Sequence, residues 1–152
     1  LYVRMGRHPV PALYDEGFAA ELGGSRVLRE GRDVAIVACG VEVSQALAAA
    51  DILASDGIEV HVVDAYSVSP LDEEAVLAAA ERCGRVVTVE EHSTATGLGA
   101  AVAELLGERR PCPVHRLGMT TFGTSAPAAD LLAHFGLDAQ GIARQVRGFC
   151  QG

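Results

Sequence analysis

Three times in this chain a short apolar run rich in β-branched residues gives way to a longer segment with apolar residues at helical spacing. That alternation limits the fold more than any other feature. "DVAIVACG" (33–40), "IEVHVVDA" (58–65) and "RVVTVEE" (85–91) are the runs, and the first, a β-branched apolar run ending in Gly, suits a strand buried on both faces. Between and after them lie "VEVSQALAAADILASDG", "SPLDEEAVLAAAERCG" and "GLGAAVAELLGE", each with helical periodicity, the first two closed by Gly57 and Gly84. In the second, Ser69 at N-cap, Pro70 at N1 and Asp72 at N3 spell a helix start with acids near its positive end. "PVHRLG" (113–118) is a further strand, and helices over 127–134 and 139–151 close the chain.

Strands and helices that alternate with short links make parallel strands joined by helical crossovers. The expected fold class is therefore α/β: a three-layer αβα domain around a mostly parallel, four- to five-stranded sheet. "SRVLRE", before Asp33, is the candidate first strand. Residues 1–22 break the pattern. "LYVRMGR" reads as the tail of a strand whose sheet lies elsewhere, and "HPVPALYDE" as a proline-spaced extended connector. The expected divisions are thus 1–8, a tail strand of a preceding domain; 9–22, a linker; and 23–152, the α/β domain. A start at Leu1 without methionine is expected of a fragment, a processed piece or a product with an unusual start.

Composition narrows the function. With 49% hydrophobic and 21% charged residues, 152 residues suffice for one domain with a core of its own. The formal net charge of −8 and the lack of a basic stripe argue against nucleic acid. No apolar run of about 18 residues marks a membrane span, and the first residues lack the apolar core of a secretory signal. Cys39, Cys83, Cys112 and Cys150 are widely spaced, as reduced thiols of a cytoplasmic protein are expected to be. All 12 basic residues are arginine, so Schiff-base and P-loop lysine chemistry is out of reach.

In such sheets ligands bind outside the carboxyl ends of the strands. The richest loop there is Glu90-Glu91-His92 followed by Gly97-x-Gly99. Paired carboxylates beside an imidazole fit proton transfer, a regulatory or partner-binding crevice, or a structural role in which the acids take backbone N–H bonds and orient the loop. Three consecutive extended residues point in alternating directions, so they do not converge on one metal ion. Gly97-x-Gly99 lacks the third glycine of a dinucleotide turn, with Val102 in its place, and fits close packing of a helix on the sheet instead. His61 and His115 fall in strands, and His134 lies near a helix end.

The blocks "VRMGR", "LREGRDVAIVACG", "VVDAYSVSPLDEEAV", "RVVTVEEHSTATGLGAAVAELL", "TTFGTSA" and "LLAHFGLDAQGIARQV" follow one another along the chain. Together they resemble the C-terminal domain of transketolases, especially the split bacterial type whose C-terminal half is a separate subunit. The resemblance implies a part of an enzyme that moves a two-carbon ketol unit between sugar phosphates on thiamine diphosphate, with a divalent cation such as Mg or Ca holding the diphosphate. It implies that cofactor and metal are bound by diphosphate- and pyrimidine-binding domains or subunits outside this chain. The chain would then serve assembly of an oligomer, with no catalytic residue of its own and no activity alone. By the same resemblance Arg4 matches an arginine that binds the sugar-phosphate group, with Arg7 a second candidate. The "TTFGTSA" block departs from the family pattern, with Thr120 and Thr121 before Phe122 and Ala126 after Ser125. Similar domains end the β chain of 2-oxoacid dehydrogenases and 1-deoxyxylulose-5-phosphate synthase, and a non-catalytic scaffold module is the remaining alternative.

Overall fold

A computed structural model of the protein describes residues 1–6 and 9–152. Its elements run β1 (Arg26–Arg29), β2 (Val34–Ala38), α1 (Glu42–Ser55), β3 (Val60–Asp64), α2 (Glu73–Cys83), β4 (Val86–Ser93), α3 (Gly97–Arg109), β5 (Val114–Met119), α4 (Ala128–Phe135) and α5 (Ala139–Gln151). The five strands form one sheet in the order β1-β3-β2-β4-β5. The alternation of segments thus folds into the α/β architecture it implies.

The central strands explain their own hydrophobicity. Every residue of β2 is buried, because its two side-chain faces meet two separate helical layers. Val34, Ile36 and Ala38 pack with Val43, Ala46 and Leu53 of α1 and with Ile142 and Val146 of α5. Ala35 and Val37 pack on the other side with Val76 and Ala80 of α2 and with Leu98, Val102 and Leu106 of α3. A side chain such as Ile36, removed wholly from water, contributes about 1.5–3 kcal/mol.

Two details differ from the local pattern. β1 is antiparallel to β3, pairing Arg26 with Asp64 and Val27 with Val63, so it closes the edge of an otherwise parallel sheet. Helix α2 starts later than "SPLDEEA" indicates: Asp72, not Ser69, is its N-cap, and Asp72 Oδ1 accepts from the Ala75 N–H at 3.1 Å. Ser25 Oγ donates to the other carboxylate oxygen of Asp72 at 2.8 Å, a bond that fixes the cap from outside the helix. Residues 1–6 hold no regular secondary structure within this chain.

The strand order places the site. β2 lies between β3, reached through α1, and β4, and the helices that follow β2 and β4 lie on opposite faces of the sheet. The loops leaving the carboxyl ends of β2 and β4 therefore diverge, which opens a crevice between them at the topological switch point.

Candidate functional site

The crevice is floored by the ends of β2, β3 and β4. Thr88 and Glu90 alternate to the same side of β4, toward α3, and Glu90 is 3% exposed. Its carboxylate accepts the backbone N–H of Leu98 at 2.9 Å and of Gly99 at 2.7 Å, two of the orphan donors at the start of α3. The glycines are required by that contact. A Cβ on Gly97, whose φ is +75°, would lie 2.3 Å from Glu90 Oε2, and one on Gly99 would lie 2.8 Å from Thr88 Oγ1. The strand that supplies Glu90 and the turn that supplies Gly97 and Gly99 thus form one closed unit.

Glu91 and His92 turn outward and are exposed. His92 Nε2 lies 3.2 Å from Thr96 Oγ1, a bond across the turn. Arg4 reaches the same loop from far away in sequence: its Nη2 donates to the Glu91 carbonyl at 3.2 Å. Two regions singled out separately in the sequence, Arg4 and Glu90–His92, therefore meet at the switch point. Arg7 lies outside the described residues.

Two further carboxyls border this edge, and neither stands out in the sequence. Glu42, in the first turn of α1, is fully buried, and both its oxygens lack a hydrogen-bond partner among the described residues. Burial, with smaller contributions from Glu91 and Asp138, pushes its pKa up to about 8, so it holds its proton at neutral pH. Its local signal is that of an ordinary acid at a helix start, and only the packing around it removes it from water. Asp64, at the end of β3, is 5% exposed and accepts from Tyr14 Oη at 2.6 Å through Oδ2, while Oδ1 has no partner among the described residues. Its pKa is raised by burial, and the Tyr14 bond opposes that rise. Cys39, between them, has its thiol pushed up to about 12, first by burial and then by Glu90 and Asp64, so it is no nucleophile at neutral pH.

Beside Glu91 a groove of about 240 Å³ is lined by Met119, Gly123, Leu132, Phe135 and Leu137. Phe122, in the loop that departs from the family pattern, stands fully exposed next to it. His61 is buried in β3, and burial lowers its pKa. All four cysteines are free thiols.

Thiamine diphosphate and its cation would need free N–H donors and converging ligands at this edge. The N-terminal amides of α3 that would hold a diphosphate are already taken by Glu90. Among the described residues no group of three or more His, Cys, Asp or Glu is arranged to hold a metal ion. The residues present do not fit the cofactor.

The family model "Transketolase, C-terminal domain" matches residues 23–142. The chain belongs to the transketolase C-terminal domain family. It is 43% identical over 145 residues to the 6-deoxy-6-sulfo-D-fructose transketolase subunit SqwH of Clostridium sp. (strain MSTE9), covering 95% of this chain and 45% of that one. A 1-deoxy-D-xylulose-5-phosphate synthase of Syntrophotalea carbinolica is 44% identical over 130 residues, covering 84% of this chain and 20% of that protein. The solved structure described as "Split gene transketolase, inactive beta4 tetramer" superposes with a TM-score of 0.90 at 40% identity, covering 94% of this chain and 47% of that one. This transketolase-family domain thus spans about half the length of its split-type relatives.

Proposed function

We propose that this chain is the C-terminal part of a thiamine diphosphate-dependent transketolase, which transfers a two-carbon ketol unit between sugar phosphates. Its part in that enzyme is assembly and site shaping, and alone it turns over nothing. The observation that carries this reading is the fate of Glu90. The best-placed acid of the crevice is spent on fixing a helix, and the neighbouring thiol and buried acid are protonated at neutral pH. Thiamine diphosphate and its cation belong, on this reading, to diphosphate- and pyrimidine-binding domains or subunits that complete the enzyme as an oligomer.

Residues 1–8 fit a tail strand of such a domain and residues 9–22 a linker. Leu1, Tyr2, Val3 and Met5 expose their apolar side chains, as a segment that packs elsewhere would. Arg4 is the residue of this chain assigned to the sugar-phosphate group. One guanidinium nitrogen bonds the Glu91 carbonyl, and on this reading the other N–H donors of the fork, which bond nothing else among the described residues, take a phosphate. A cytoplasmic location fits four free thiols, and among the described residues no helix is long and apolar enough to cross a membrane.

The test is a reconstitution. The isolated chain is expected to show no heat of binding with thiamine diphosphate and Mg²⁺ and no ketol transfer. Adding the companion domains is expected to restore transfer from a ketose phosphate to an aldose phosphate. Tight cofactor binding by the chain alone overturns the proposal. A completed enzyme that instead condenses pyruvate with an aldose phosphate supports the second reading, a 1-deoxyxylulose-5-phosphate synthase domain, which the 44% identity to the Syntrophotalea carbinolica enzyme favours.

A further inference from the structure

Among the five helices α4 is the exception. Each of the others buries at least four residues, whereas α4, "AADLLAHF", buries none. Leu132 and Phe135 pack against the core without being sealed in it, and both line the groove together with Leu131. That groove, about 240 Å³, lies between α4 and the end of β5, with Met119 and Leu137 in its walls and Glu91 at its border. Phe122, in the loop that joins β5 to α4, is 99% exposed. An uncovered helix, an apolar groove and a bare phenylalanine in one place are unfavourable against water, and a patch of that kind marks an interface.

Two observations identify what covers it. The first is continuity. Leu1, Tyr2, Val3 and Met5 are exposed, and their segment meets the domain at Glu91, whose carbonyl accepts from Arg4 at 3.2 Å. Glu91 also borders the groove, so a sheet that takes up this segment as a strand stands beside the groove. The second is charge. No basic residue lines the groove, and its one charged lining residue, Glu91, is exposed. Asp130, in the first turn of α4, and Asp138, which follows Leu137, are acids as well. The surface that fits this place presents an apolar side chain with a cation beside it. We propose that the groove and the Phe122 loop are the docking surface for the domain whose sheet takes residues 1–8, which seats an apolar side chain between Met119 and α4 and pairs an arginine or lysine with Glu91. The inference rests on the reading of residues 1–8 as a strand of that pyrimidine-binding domain. Its new content is a second point of attachment, contributed by α4 and the loop before it.

The experiment compares the chain alone with the enzyme assembled from it and its companion domains. Backbone amides of residues 119–135 are expected to exchange hydrogen at least about tenfold more slowly in the assembled enzyme. Phe122→Ser removes no buried contact, so the chain alone is expected to melt as wild type does. In assembly it is expected to raise the companion concentration that gives half-maximal ketol transfer about tenfold. Glu91→Arg keeps the carbonyl but reverses the charge, and its effect is expected to be similar and to shrink at high salt. Val27→Ser, at the opposite edge of the sheet, is expected to change neither reading. If transfer is restored while residues 119–135 stay unprotected and Phe122→Ser behaves as wild type, docking occurs elsewhere and this inference falls, while the proposed function stands. If the chain alone gains the protection as its concentration rises, and Phe122→Ser abolishes it, the occupant is a second copy of the chain and the inference is overturned. If the companion domains neither bind the chain nor restore transfer, the reading of residues 1–8 falls and takes this inference with it.

Discussion

Glu42 and Glu90 occupy comparable places with opposite outcomes. Each lies where a parallel strand hands over to a helix, on either side of the same switch point, and each is buried. Glu90 meets two backbone N–H groups at the start of α3, made accessible by glycines at 97 and 99. Glu42 lies in the first turn of its own helix, where its side chain finds no donor among the described residues and instead faces Glu91 and Asp138. Burial alone therefore does not decide what a carboxyl contributes. The convergence of donors does, because a buried acid with charge-assisted bonds stabilises the fold, while one without them is kept neutral at a cost.

The comparison breaks most readily at Glu90. Glu90→Ala strips two buried N–H groups of their acceptor and is expected to destabilise the domain by about 4 kcal/mol, read from urea unfolding monitored by circular dichroism. A loss below about 1 kcal/mol would show that water replaces the carboxylate and that the two acids are alike after all.

Glu42→Gln sharpens the contrast in the other direction. Its folded pKa, about 8, lies above the unfolded value of 4.5, so the native state holds a proton that the unfolded chain has already released. Wild-type stability is then fully present below pH 4.5 and falls as pH rises to about 8. Glutamine does not ionise, so the variant is expected to match wild type near pH 4 and to exceed it by about 4 kcal/mol at pH 8. Thermal melts at several pH values decide it, and parallel curves for the two proteins would contradict a buried neutral acid.

The smallest effect belongs to His92, two residues beyond Glu90. Its bond to Thr96 is exposed, so His92→Ala is expected to shift stability by less than about 0.5 kcal/mol. A shift comparable to that of Glu90→Ala would place the organising contact of this turn in the imidazole instead.

Much of this was legible in the chain itself, for reasons visible in particular residues. Strand β2 reads as doubly buried because Val34–Ala38 has no polar position, and the structure buries all five. The structural alternative for the Glu90-Glu91-His92 loop, acids that take backbone N–H bonds, is what Glu90 does, since an acid at a strand end followed by Gly-x-Gly has a nearby helix start to bind. By contrast, Asp72 displaced Ser69 as the α2 cap through a bond from Ser25, a partner 47 positions away that no local pattern reveals. Tyr14 carries no local signal for the same reason, since its partner Asp64 follows 50 positions later.

By itself, then, the amino-acid sequence determined the elements, their buried faces and the layered α/β class, because side-chain periodicity is a property of neighbouring residues. Only the tertiary structure decided that β1 runs antiparallel at the edge, that Glu42 is sealed from water, and that Arg4 meets the Glu91 carbonyl 87 positions away. Those outcomes follow from the order in which the strands pair, with β2 between β3 and β4, and strand order depends on the packing of whole helical layers rather than on any local run of residues.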